Sequence, residues 1–168
     1  MKQARPIRLS RLNIFLFDFQ QARRFADYIL NKKLHDVKGE HAKAKLVHLA
    51  FNTSLIVSYS RPFHMSNEGE GLARVSLRSH VADVLSGTEN VLHERVLDKR
   101  DQAFAHSDAI AHEFGGMDYT GRFMMFYKGA FDPLTKDETQ MLRRMIKKWI
   151  DHVEKLRTEV RLSNQHSS

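Results

Sequence analysis

The sequence predicts an all-α fold, a four- to five-helix bundle forming a single domain over residues 1–168. Three observations predict it. Apolar residues recur at three-, four- and seven-residue spacings through long stretches of the chain. Only three prolines and eight glycines interrupt 168 residues, so helix breakers are rare. Hydrophobic residues make up 42% of the chain, enough for one real core, while the length is short for two domains.

The elements follow in order. Met1–Arg11 is basic, holds Pro6 and reads as a loose arm. Leu12–Phe19 (LNIFLFDF) is apolar and short, and periodicity alone does not separate strand from helix there. A helix is expected over 18–33, with Asp18 as its N-cap and Phe19, Ala22, Ala26, Ile29 and Leu30 on one face. Asp36–Gly39 reads as a turn. A second helix over 41–60 is expected to bury Ala44, Val47, Ala50, Phe51, Leu55 and Val57. Arg61-Pro62 stops it, because the residue before proline avoids the helical region. Ser66–Gly71 (SNEGEG) is a loop, and Leu72–Leu85 reads as a shorter helix.

Ser86-Gly87 separates that segment from a central helix over 89–105. Thr88 is its expected N-cap, and Leu92, Val96, Leu97, Ala103 and Phe104 make its apolar stripe. Glu113–Gly121 carries three glycines and a turn. Arg122–Phe131 (RFMMFYKGAF), aromatic and methionine-rich, reads as a short irregular or β segment. The last helix, over 135–161, opens on a Thr135/Glu138 capping box. Met141, Leu142, Met145, Ile146, Trp149, Val153, Leu156 and Val160 line its inner face. Residues 163–168 form a frayed tail.

Composition bounds the function. The chain has no cysteine, which excludes disulfides and thiolate metal sites and points to a reducing cytoplasm. No stretch approaches ~20 consecutive apolar residues, so no membrane span is expected. The formal net charge is +7, which favours polyanions and above all nucleic acid.

Within the central helix, Arg100-Asp101-Gln102-Ala103-Phe104-Ala105-His106 is an arginine, a polar residue, four more residues and a histidine. With four to six intervening residues allowed, an Arg-to-His spacing occurs three times, also at Arg74/His80 and Arg161/His166. Chance alone gives roughly two to three such hits in this composition. Arg161/His166 lies on the tail, and Arg74/His80 lacks a polar residue after the arginine. Only Arg100/His106 has the Arg–Asp step and closes a strongly patterned helix. This motif resembles the signature of the HEPN superfamily. The sequence AHSD ending at Asp108, and SLIVSYSRPF over Ser54–Phe63, resemble its abortive-infection-type branch. The resemblance covers about Asp18 to Asp108, with the final helix as a further bundle member and no counterpart for 122–131.

The resemblance implies a metal-independent endoribonuclease in phage defence or a toxin–antitoxin-like system, with no cofactor. RNA, a second copy of the chain, and an antitoxin or partner protein are the implied partners. The implied catalytic residues are Arg100, His106 and Asp101. In such a reaction the RNA 2′-hydroxyl attacks the adjacent phosphate. Histidine titrates near neutrality and moves the proton, while arginine binds two phosphate oxygens. Neither role needs a metal. Six residues along a helix turn through about 600° and rise ~9 Å, so Arg100 and His106 do not face the same way. They converge only if the helix ends near Ala105 or a second subunit completes the site. HEPN domains are typically dimers with paired sites, so the resemblance implies a homodimer.

Expected RNA contacts are Arg61, Lys99, Arg143, Arg144, Lys147 and Lys148, the last four forming a basic run. Each candidate has a plainer role. Arg100 can pair with Asp101 or Glu94, His106 can cap a helix end, and Arg61 can cap carbonyls. The basic run can be a solvated face, and Trp149 and the methionines core. No HExxH or comparable spacing makes metal ligands of His93, Glu94, His106 and Asp108. A non-catalytic dimeric module that binds RNA or a protein partner is the alternative reading. A purely structural protein whose dimer is its function is a third.

Overall fold

The computed structural model describes residues 9–36, 42–64, 76–105 and 132–165. Five α-helices carry them: α1 (Leu9–Asn31), α2 (Ala42–Ser60), α3 (Val81–Val84), α4 (Gly87–Ala105) and α5 (Lys136–Gln165). Short 3₁₀ turns occupy Leu34–Asp36, Arg61–Phe63 and Leu77–His80. There is no strand among the described residues, and the all-α bundle expected from periodicity is the fold. His106, the Ser66–Gly71 loop, Glu113–Gly121, the 122–131 segment and tail residues 166–168 lie outside the described residues.

Helix α1 begins nine residues earlier than the sequence suggests. Leu12, Phe15, Leu16, Phe19, Ala22, Ala26 and Ile29 are all buried and follow a single 3.6-residue stripe. The ambiguous Leu12–Phe19 segment is therefore helix, and Leu9–Arg11 belong to it rather than to a loose arm. Asp18 is not an N-cap. It sits in mid-helix, buried, where Arg61 Nη1 donates to its Oδ1 at 3.3 Å. Burial pushes the Asp18 carboxyl above its usual range, against the opposing pull of Arg61.

Helix α2 runs antiparallel to α1. Asp18 meets Arg61 near one end of the pair, and Tyr28 stacks on Phe51 toward the other, with centroids 4.2 Å apart. Its buried stripe is Asn52, Leu55, Ile56 and Tyr59. This corrects the expected face: Ala50 is exposed, and Ala44, Val47, Phe51 and Val57 are only half-buried. The polar Asn52 displaced the apolar pattern, because its Oδ1 accepts the buried Leu134 N–H at 3.0 Å. Helix α2 stops at Ser60, and Pro62 lies in the first positions of the following 3₁₀ turn.

The expected helix over 72–85 is, in its described part, a 3₁₀ turn leading into the single turn of α3. Ser76 caps it, its Oγ accepting the Arg78 N–H at 3.1 Å and donating to the Phe63 carbonyl at 3.0 Å. Helix α4 starts one residue before Thr88. Its cap is Ser86, which forms the box with Glu89: Ser86 N–H and Oγ–H both donate to Glu89 Oε2 at 2.9 Å. Leu92, Val96 and Leu97 are buried as expected, while Ala103 and Phe104 fall outside the described side chains.

Helix α5 opens on the expected box. Thr135 N–H donates to Glu138 Oε2 at 2.8 Å, and Glu138 N–H donates to Thr135 Oγ1 at 3.2 Å. Leu142, Met145, Ile146, Trp149 and Val153 are buried, and the helix continues to Gln165, past the point where fraying is expected. Trp149 is core, as its plainer reading holds. It stacks on Phe19 with rings 10° from parallel, and meets Phe63 edge-on at 4.9 Å. Ion pairs set α4 antiparallel to α5: Glu89 with Lys148, and Arg95 with Glu138. Among the described residues no helix is long and apolar enough to cross a membrane.

Candidate functional site

Arg100 lies near the C-terminal end of α4, and the 3₁₀ turn after α2 ends beside it. Arg100 Nη1 donates to Asp101 Oδ1 at 2.7 Å and to His64 Nδ1 at 3.2 Å. An arginine only donates, so His64 Nδ1 accepts and its hydrogen sits on Nε2. That nitrogen lies 3.7 Å from Asp101 Oδ1. Burial, with the neighbouring Arg100 charge, holds the His64 imidazole below its ordinary pKa, so it is neutral at pH 7. The Arg100 side chain is 28% exposed and Asp101 54%.

His64 was not legible as a site residue. It stands 36 positions before Arg100, and no local spacing links them. Its position comes from Phe63, which is fully buried between the His93 ring at 4.5 Å and Trp149. Phe63 anchors the turn in the core, and His64 is carried to the end of α4. His106 lies outside the described residues, so its relation to Arg100 is an expectation from the sequence.

Four of the six expected RNA contacts already have protein partners. Arg61 is held by the buried Asp18. Lys99 Nζ donates to the Asp132 carbonyl at 2.9 Å, which fastens the chain entering α5 to α4. Arg143 pairs with Asp27 of α1, and Lys148 with Glu89. Glu89 and Arg100 are eleven residues apart on α4, about 16 Å along its axis, so the basic run sits toward the opposite end of that helix. Arg144 and Lys147 are exposed.

A second polar cluster lies in the interior. His93 is fully buried, and the Tyr59 hydroxyl is 2.9 Å from its Nδ1. Burial raises the Tyr59 phenol far above its ordinary range, so it keeps its proton. Donation to Nδ1 satisfies that proton and leaves the imidazole hydrogen on Nε2. Burial, then the Arg78 charge, pulls His93 down to about 4. Among the described residues no group of three His, Cys, Asp or Glu side chains converges to hold a metal ion. Comparisons with known protein families, with curated proteins and with solved structures found no match to this chain.

Proposed function

We propose that this chain is a HEPN-type, metal-independent endoribonuclease acting in phage defence or a toxin–antitoxin-like system in the cytoplasm. The observation that supports it most is the cluster of Arg100, Asp101 and His64: a partly exposed guanidinium, a carboxylate that orients it, and a neutral imidazole. Arg100 binds the scissile phosphate and stabilises the added charge of the phosphorane. His106, from the resemblance, moves the proton of the 2′-hydroxyl, and His64 holds the guanidinium in place. The net charge of +7 draws RNA to the surface. The functional unit is a homodimer, in which a second copy completes the pair that one helix cannot bring to a single face.

The test is incubation of total RNA in EDTA with wild type and with Arg100→Ala. The expected result is cleavage by wild type alone, leaving 2′,3′-cyclic phosphate or 3′-phosphate ends. Metal-dependent cutting with 5′-phosphate products would refute the mechanism. The alternative, a non-catalytic module for RNA or a protein partner, draws on the 2.7 Å pairing that already neutralises Arg100. It predicts RNA binding without cleavage.

A further inference from the structure

A cleft of about 550 Å³ lies between the 77–85 segment and the first turns of α4. Arg78, Ser86, Asn90, His93 and Glu94 are among the residues that line it. That volume is within the range of small-molecule sites. Two polar atoms on its walls are buried and lack a hydrogen-bond partner: His93 Nε2 and Asn90 Oδ1. The first carries a hydrogen, by the Tyr59 argument above, and the second is an acceptor. The Glu94 carboxylate is the nearest acceptor to His93 Nε2, but at 4.0 Å it lies beyond hydrogen-bond reach. Buried polar atoms without partners are costly, and a ligand that pairs with both removes that cost.

We infer that this cleft is a subsite for one nucleotide, with the base edge read by Asn90 and His93 and the phosphate held by Arg78. A nucleobase edge offers a donor next to an acceptor, which complements one protein acceptor beside one protein donor. Arg78 is exposed at the rim and supplies a cation for phosphate. Its charge acts on both His93 and His64. His93 and Arg100 are seven residues apart on α4. Seven residues are two turns, so both residues lie on one side of the helix, about 10 Å apart along it. A strand with its scissile phosphate at Arg100 then has the cleft two helical turns away, within reach of a neighbouring nucleotide. The placement on an RNA strand rests on the nuclease reading, whereas the nucleotide chemistry of the cleft does not.

The experiment titrates each of the four nucleoside 5′-monophosphates, and ribose 5-phosphate, into the full chain. The ring nitrogens of His93 and the side-chain amide of Asn90 are followed by NMR. Saturable shifts at both residues, with at least one base preferred over ribose 5-phosphate, are expected. Arg78→Gln is expected to weaken binding of every nucleotide about tenfold, the scale of one lost charged hydrogen bond. Asn90→Leu is expected to erase the preference among bases, and melting curves check that both variants fold. No saturable shift up to millimolar concentration overturns the inference, as does ribose 5-phosphate binding as well as every nucleotide. In parallel, an oligoribonucleotide is tested for cleavage by wild type and Arg100→Ala. Base-selective nucleotide binding with uncut RNA sinks the nuclease and keeps the cleft. Arg100-dependent cutting with a flat titration does the reverse.

Discussion

Acidification should destabilise this protein through His93 in particular. The ring is buried neutral, with its pKa drawn down to about 4. In the unfolded chain a histidine titrates near 6.5. The folded value is the lower one, so below pH 6.5 the unfolded state binds the proton more readily. Stability is then fully present above pH 6.5 and falls as pH drops toward 4. The shift is about 2.5 units at about 1.36 kcal/mol each. Allowing for partial titration, the loss relative to pH 7 is about 2 kcal/mol at pH 5 and about 3 kcal/mol at pH 4. Urea unfolding at pH 7 and pH 5 measures it, comparing wild type with His93→Gln. His35, His48, His64 and His152 are also held below their ordinary values and add to the same trend in both proteins. The difference between the two slopes isolates His93. Equal losses in wild type and variant, or an NMR titration of the His93 ring near 6.5 in the folded protein, would refute the reasoning.

Arg61→Ala should cost roughly 1–3 kcal/mol in chemical denaturation, because it strands the buried Asp18 carboxylate; Asp18→Asn in the same background should recover part of that. On the nuclease reading, His106→Ala should abolish turnover while leaving RNA affinity nearly intact, whereas Arg100→Ala should damage both, as read by single-turnover cleavage and filter binding. The double variant Arg144→Ala/Lys147→Ala should lower RNA affinity and flatten the slope of log affinity against log salt by about 1.4, without changing the single-turnover rate at saturation. An unchanged slope would show that these two residues form a solvated face.

The long helices were legible because their signals are local. The Thr135/Glu138 box and the α5 stripe are repeated within a few residues, and Trp149 falls on that stripe. Asp18 misled because a carboxylate before an apolar run is a common helix start, and only the distant Arg61 makes it acceptable in mid-helix. Asn52 misled for the same reason, since its partner is Leu134, 82 residues away. Thr88 lost the cap to Ser86 because Glu89, three residues after Ser86, closes that box. At the site, Asp101 follows Arg100 directly and was legible. His64 and the His93–Asn90 cleft were not, because each depends on how separate segments pack.

Phe63 joins the Arg100 cluster and the cleft mechanically. Its ring is fixed in the aromatic core, its carbonyl accepts Ser76 at the start of the turn that bears Arg78, and the next residue is His64. Loss of the Phe63 packing would therefore disturb the Arg100–His64 contact and the cleft together. Heating should erase the Arg100–His64 contact and the shape of the cleft in one thermal event, at the melting temperature of the ring cluster. Near-ultraviolet circular dichroism and, on the nuclease reading, RNA cleavage would then trace the same curve.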